Sequence, residues 1–390
     1  MSSGAKVVTA YKRETTPGVT PTAGDWNLLK RTSFGLGPTQ NTNDNDEIGG
    51  SRMAQGVSRG TVDVGGDIET RFRFGQLDDF MASAFGAEWA ANVLTMGNDR
   101  IAFSVASYAD DIGVASIARG CQVGTLAFSI PNDGDITSTV TFAGLDWAST
   151  ASDTNYFSNP VDNAGELRYS FKEVTNLVLN GVRGSNGFCV DSFDISFDNN
   201  MQTQRCIGTG SAFAGANIAT TFTPTGTITL SWSKAAWDVF MKTFTGEMVP
   251  FEFTVENDEG SYTFNFPKVQ ISGDWPDGGN TDIIQVELTL TGSDESPTIT
   301  RAAKVTATAV TVSPATSGGA VNTTVDLTAA TTPAGATATV AWSSSNPTIA
   351  TVVSTGKKTA KVTRGTVAGT ATITAVVDGK SATSVITVTV

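Results

Sequence analysis

One ten-residue phrase occurs twice in this chain, as LDDFMASAFG at 77–86 and as WDVFMKTFTG at 237–246, an offset of 160. In the later copy Trp237, Phe240, Met241 and Phe244 fall at i, i+3, i+4 and i+7, one apolar stripe of a short amphipathic helix. In the earlier copy Leu77, Phe80, Met81 and Ala84 take the same places, and Phe85 widens the stripe. Gly86 and Gly246 supply the stops. Asp78 and Asp238 are expected in the first turn, where a carboxylate suits the helix dipole. Leu77, Phe80, Met81, Trp237, Phe240 and Met241 are therefore expected to dock each helix on a sheet. Removing Phe80 or Phe240 should cripple the fold, and removing Asp78 should cost far less.

The neighbours of the phrase recur in the same order. Ser33-Phe34 and Ile48-Gly49 return as Ser192-Phe193 and Ile207-Gly208 at an offset of 159. A strand opens at Gly60-Thr61-Val62 and again at Gly226-Thr227-Ile228, an offset of 166 that implies a small insertion and a compensating shortening. Ile136, Ser138, Val140, Phe142 and Gly144 alternate as Ile284, Val286, Leu288, Leu290 and Gly292 do, at an offset of 148. Each half thus reads as strand, long polar loop, strand, short helix, further strands and a closing strand of period two. One β-rich domain is written twice, over 1–165 and 166–296. Both long loops are polar and Gly-rich, and stretches of that length and character serve as arms that become ordered against a partner. Asp44, Asp46 and Glu47 mark the first arm, and Asn199, Asn200 and Gln202 the second.

From about Lys304 onward charge almost vanishes and Thr, Ala and Val dominate, in short alternating strands separated by Gly, Pro and Asn turns. The segments VTVSP at 310–314, AWSSSNPTIATV at 341–352, GTATITA at 369–375 and DGKSAT at 378–383 resemble the bacterial immunoglobulin-like group 2 family. That resemblance covers 304–390 and implies a sandwich with Trp342 as its core aromatic. Residues 297–303 are expected to be a linker.

Several chemistries are excluded or disfavoured. The chain has no His, which rules out Ser-His-Asp and Cys-His sites. Cys121, Cys189 and Cys206 lack metal-site spacing and are expected to be reduced, buried thiols. The acidic clusters Asp44-Asp46-Glu47, Asp110-Asp111 and Asp133-Asp135 lie in or beside polar, turn-prone stretches and are expected to be solvated turns, with calcium binding in one of them the lesser alternative. No Walker loop, GxSxG or HExxH occurs. No enzyme activity, cofactor or metal is expected. The N-terminus carries no apolar signal region and no eighteen-residue apolar run occurs, so neither export nor a membrane span is expected. An immunoglobulin-like domain of a kind displayed outside cells, on a chain with no expected route of export, points to a virion protein made in the host cytoplasm.

Charge adds a constraint. Residues 304–390 hold six basic and two acidic side chains, leaving 19 basic against 36 acidic in the rest. A protein gripping nucleic acid needs the opposite sign, whereas an acidic one can line a channel that DNA passes without sticking.

With ETTPG at 14–18, the paired helices, the long loops and the FxFP strand at Phe264-Asn265-Phe266-Pro267, residues 1–303 resemble the major tail tube protein of long, non-contractile-tailed phages, with the tube domain doubled. The resemblance implies a mainly β chain: two tandem tail-tube β-sandwich domains, each with one short α-helix, and a C-terminal immunoglobulin-like β-sandwich. It further implies homo-oligomeric rings of six sandwich units, hence trimers of this chain with pseudo-sixfold symmetry, stacked into a tube that meets a tape measure protein and tail tip or terminator proteins. DNA would pass the lumen without specific binding, and the C-terminal domain would make at most weak glycan contacts. Two other classes fit less well: a surface adhesin or carbohydrate-binding protein, and a virion-associated glycan hydrolase, which needs a carboxylate pair at fixed separation.

Overall fold

The computed structural model describes residues 3–47, 53, 56–151, 155–184, 187–207 and 210–390. Two compact units result, 1–302 and 303–390. The recurring Ile48-Gly49 and Gly208 of its counterpart lie outside the described residues.

In the first unit the chain runs through β1 (Val7–Arg13), β2 (Asn27–Leu28), β3 (Ser33–Phe34), β4 (Gly37–Asn43), β5 (Ser58–Arg71), α1 (Asp78–Phe85), β6 (Val93–Thr95), β7 (Phe103–Ala109), β8 (Val114–Ile130), β9 (Thr137–Gly144) and β10 (Asp146–Thr150). It then writes the pattern again as β11 (Val174–Leu179), β12 (Val182–Arg183), β13 (Val190–Asp198), β14 (Gln202–Gln204), β15 (Ala216–Ile218), β16 (Thr223–Ser231), α2 (Lys234–Phe240), α3 (Lys242–Thr245), β17 (Val249–Glu256), β18 (Gly260–Gly273), β19 (Gln285–Gly292) and β20 (Thr298–Ala303).

The pairing pattern repeats with the sequence. The first half joins β1 to β7, β7 to β8, β8 to β9, β9 to β5, and β5 to β3 and β4. The second joins β11 to β17, β17 to β18, β18 to β19, β19 to β16, and β16 to β13. Even a bulge recurs. The β7–β8 register slips between Phe103 and Val105, and the β17–β18 register slips between Val249 and Phe251. On the long strand the first bulge falls at Gly120, whose φ of 64° a side chain resists, and the second at Pro267, which has no N–H to lose. The FxFP motif is thus two core aromatics followed by a bulge proline.

Register also corrects the sequence alignment. Phe34 lies opposite Ile68 and Phe193 opposite Ile228, while Gly66 faces Phe142 and Gly226 faces Leu290. Gly66-Asp67-Ile68, not Gly60-Thr61-Val62, is the counterpart of Gly226-Thr227-Ile228. The offset is 160 at this strand, as at the helix, and the supposed insertion and compensating shortening disappear. Gly-Thr-Val occurs by coincidence in the protruding part of the same strand.

The α1 stripe is fully buried: Leu77, Phe80, Met81 and Ala84 are 0% exposed, and Gly86 closes the helix in the left-handed conformation. Its counterpart differs. Ser233 caps α2 by accepting from the Ala236 N–H at 3.2 Å, so the helix starts at Lys234 and Asp238 falls in its interior rather than its first turn. The second copy also splits into α2 and α3 about Met241. Phe240 is buried and Met241 packs at the core margin, but Trp237 is 41% and Phe244 71% exposed. The earlier N-cap turns the face of this helix, so Ala236 and Val239 take the buried places expected of Trp237 and Phe244.

Residues 297–303 are not a linker. Ile299 is 0% exposed, and β20 pairs with β6 of the first repeat, Thr298 opposite Thr95 and Ile299 opposite Leu94. A single core runs through both repeats, with Phe72 5.2 Å from Tyr262 and Phe128 5.4 Å from Phe264 between ring centroids.

The second unit is a sandwich of two four-stranded sheets, built from β21 (Ala309–Ser313), β22 (Thr316–Ala320), β23 (Thr324–Thr332), β24 (Ala341–Ser344), β25 (Ala350–Ser354), β26 (Thr359–Arg364), β27 (Gly369–Val377) and β28 (Lys380–Thr389). The orders are β21-β23-β26-β25 and β22-β28-β27-β24. Leu327, Val362, Ile373 and Ile386 form its centre at 0% exposure. Trp342 is half-buried at the margin, with its indole N–H unpartnered, so aliphatic side chains and not the tryptophan centre this core.

Candidate assembly surfaces

The most informative surface is the one the chain has already closed on itself. Strand β8 is long enough to serve twice, pairing with β9 on one edge and, over Thr125–Ile130, with β13 of the second repeat on the other. Thr125 lies opposite Asp198, Leu126 opposite Phe197 and Ile130 opposite Phe193. Beside this ladder Phe85, at the end of α1, meets Phe197 and Phe222 of the second repeat at 5.0 and 5.3 Å.

Polar groups stitch the same joint. The Asn199 side-chain amide donates to the Val123 carbonyl at 3.0 Å, and its backbone N–H to Gly124 at 2.9 Å. The buried Asn217 donates to the Gly144 carbonyl at 3.0 Å, while its own carbonyl accepts from Arg100 at 2.7 Å. Arg205 forms an ion pair with Asp63. The second arm, including the small β14–β15 ladder, is therefore ordered against the first repeat of its own chain. Asn199, expected on a loop facing another copy, is 8% exposed and consumed within the joint. Asn200 and Gln202 remain exposed. In the first arm Pro38 through Glu47 are exposed, including Asp44, Asp46 and Glu47, so a good part of the expected loop is a β-hairpin, formed by β4 and the start of β5, that stands clear of the core.

A second stitch ties α1 to the end of the unit. Asp78 accepts from the Tyr262 hydroxyl and from Arg301, whose guanidinium lies 4.5 Å from the Trp89 ring centroid. Burial pushes the Asp78 carboxyl above the ordinary range, against the opposing pull of Tyr262 and Arg301. The ETTPG segment has a different job. Glu14 is 7% exposed and accepts from the N–H groups of Gly18 at 2.6 Å and Gly120 at 3.0 Å and from the Ser104 hydroxyl at 2.6 Å. It pins the turn after β1 to the β8 bulge, a role that composition and spacing did not disclose.

The sheet face turned away from the core is hydroxylated and acidic. Along β5, β13 and β19 it presents Asp63, Asp67, Glu69, Asp194, Asp198 and Glu287 against Arg59 and Arg71. Between them Thr137, Thr139, Ser196, Thr225, Thr227 and Thr289 line a shallow depression of about 410 Å³ around Gly226, which has no side chain to fill it. Of the cysteines only Cys121 is buried, and burial pushes its thiol up; Cys189 and Cys206 are exposed, contrary to expectation, because Cys189 falls in the loop before β13 and Cys206 in the loop between β14 and β15. Among the described residues no three acidic or cysteine side chains are grouped to hold a metal ion.

A doubled β-sandwich that closes one joint internally, while the far edges of β4 and of the end of β18 stay unpaired among the described residues, has the architecture of a self-assembling structural subunit. The chain belongs to the phage tail tube protein family, whose model matches residues 4–293, and a model of the bacterial Ig-like domain (group 2) matches residues 306–388. No curated protein matches the chain. The protein is thus a structural component of the phage tail with an immunoglobulin-like domain at its C-terminal end.

Proposed function

We propose that this chain polymerises as stacked rings into the hollow tail tube through which DNA is delivered, three chains closing each ring. The observation that carries the reading is one continuous sheet in the order β4–β5–β9–β8–β13–β16–β19–β18, with a shared core on one face and the hydroxylated, acidic surface on the other. Each copy contributes eight strands. Three copies give a closed barrel of about 24, and a strand spacing of ~4.8 Å with a tilt of ~40° puts opposite backbone walls roughly 48 Å apart. That leaves room for a duplex inside the side chains, and carboxylates lining the wall repel phosphates and keep the DNA mobile. The tube would meet a tape measure protein along its lumen and tip or terminator proteins at its ends. The immunoglobulin-like unit would decorate the exterior, with weak glycan contact at most. Assembly in the host cytoplasm precedes incorporation into the virion.

Electron microscopy of the purified protein tests this reading. Hollow polymers with three chains per ring and both repeats in the barrel are expected; six chains per ring with the second repeat outside would sink the threefold arrangement. A chain ending at Lys304 keeps β20 and the whole core of the first unit, so it should form tubes of the same inner diameter without outer knobs. A truncated chain that stays folded yet fails to polymerise would refute the decorating role.

A further inference from the structure

The tail tube model ends at residue 293 and the immunoglobulin-like model begins at 306, so neither covers β20. Yet this short strand is built into the core. It enters between two others, pairing with β6 of the first repeat on one edge and with β18 of the second on the other. Ile299 packs in the shared core opposite Leu94, both at 0% exposure. Gly260, at the start of β18, leaves room for the strand, since a methyl group there would come within 2.7 Å of the Ala302 carbonyl oxygen. Arg301 is then received by groups that all come from the first repeat. Its backbone N–H donates to the Asn92 carbonyl at 2.9 Å, and its Nε to the Asn92 side-chain oxygen at 3.3 Å. The guanidinium pairs with Asp78 and stacks on Trp89, whose indole N–H is fixed by donating to the Asp78 carbonyl at 2.9 Å. Ala91 and Asn92 hold left-handed φ values of 48° and 67°, which shape the turn that presents these acceptors. The Asp78 side chain keeps 17% of its exposure, and burial pushes its carboxyl up, so the position calls for a cationic partner.

We infer that the groove between β6 and the Gly260 end of β18 is a strand-acceptor site, selective for an extended segment with an aliphatic side chain two residues before an arginine, and that the chain fills it with its own Thr298–Arg301. Ladders on both edges supply the affinity, and the Ile299 slot with the Asp78–Trp89 clamp supplies the sequence requirement. A segment held in this way does not need the peptide bond that delivers it. The turn between β19 and β20 can therefore be cut, and residues 297–390, with the whole immunoglobulin-like unit, stay attached to the first unit. The site makes β20 an anchor for whatever follows it. Nothing in the inference depends on how rings form.

Asp294 and Glu295 are exposed in that turn, so the recognition sequence of a site-specific protease inserted between them in the full chain gives a clean cut. After complete cleavage the C-terminal piece should co-elute with the rest of the chain in native buffer and separate only in denaturant. Arg301→Ala and Ile299→Asp, each introduced into the same full chain and checked for folding before the cut, should then release the piece at protein concentrations at least about tenfold higher than the parent does. Lys268→Ala, which removes only the surface partner of Glu295, should release it at the parent's concentration. Pieces of the parent that separate on cutting while each stays folded would overturn the site, as would loss of fold on cutting. An Arg301→Ala piece held as firmly as the parent's would overturn the arginine requirement and with it the selectivity of the groove.

Discussion

Phe80→Ala is expected to unfold the first repeat or leave it barely stable, at a cost of about 3–5 kcal/mol. The ring is 0% exposed and touches three aromatics from three different strands, with centroids 4.6 Å from Tyr11, 5.1 Å from Phe103 and 5.3 Å from Phe142. Strands fixed at both ends cannot collapse into the space, so the cavity term adds to the lost transfer energy. Phe240→Ala should cost less, because its neighbours Phe244 and Trp275 are largely exposed and can shift inward. Trp237→Ala, on the solvent side of the same helix, should leave the denaturation midpoint almost unchanged. Chemical denaturation of the three variants ranks them directly, and equal losses at Phe80 and Trp237 would contradict the burial pattern.

Asp78→Ala is expected to be the second most damaging of these changes, at roughly 2–4 kcal/mol, which reverses the expectation from sequence. A first-turn carboxylate acting only on the helix dipole contributes a few tenths of a kcal/mol to about 1 kcal/mol. Here the same carboxylate is the acceptor for Tyr262 and the counter-ion of Arg301, and its loss leaves a hydroxyl and a guanidinium without that partner at the meeting point of both repeats. The figure sits below that for a fully buried pair because the Arg301 side chain keeps 27% of its exposure. Arg301→Met in the Asp78→Ala background should restore part of the loss. Thermal unfolding of the single and double variants measures it, and an Asp78→Ala midpoint equal to the parent's would remove the stitch from the account.

The parts legible in the sequence were those written in short-range periodicity. The stripe Leu77, Phe80, Met81 and Ala84 has the helical period, and Val286, Leu288 and Leu290 have the strand period, so each could be placed from its own neighbours. The second helix was only half legible, because its apolar residues are spread round the helix and a cap at Ser233, four residues before Trp237, decides which of them turn inward. The duplication was visible in its helices and closing strands, yet a recurring Gly-Thr-Ile/Val triplet misplaced one strand, since β5 carries glycines at 60, 65 and 66 and only the ladder says which is equivalent to Gly226. What could not be read was everything that depends on pairing across the repeats. Thr298-Ile299-Thr300 is too short to announce a strand, and nothing near Thr125–Ile130 in the sequence says that a second partner waits on its far edge. The acidic polar face was legible as net charge, but its concentration on one side of the sheet needed the topology.

If the chain assembles as proposed, the internal joint would also govern how many units a ring can hold. In the proposed three-chain ring, half of the closing contacts would be made as each chain folds, and these would carry no concentration dependence and no further loss of translational freedom. Only three encounters between molecules remain per ring. Because repeats enter in tethered pairs, rings of five or seven units cannot arise without leaving one repeat unpaired. A tube of constant bore must avoid those errors over every ring of its length, and in the proposed assembly the doubling of the domain within one chain would make parity itself the proofreader.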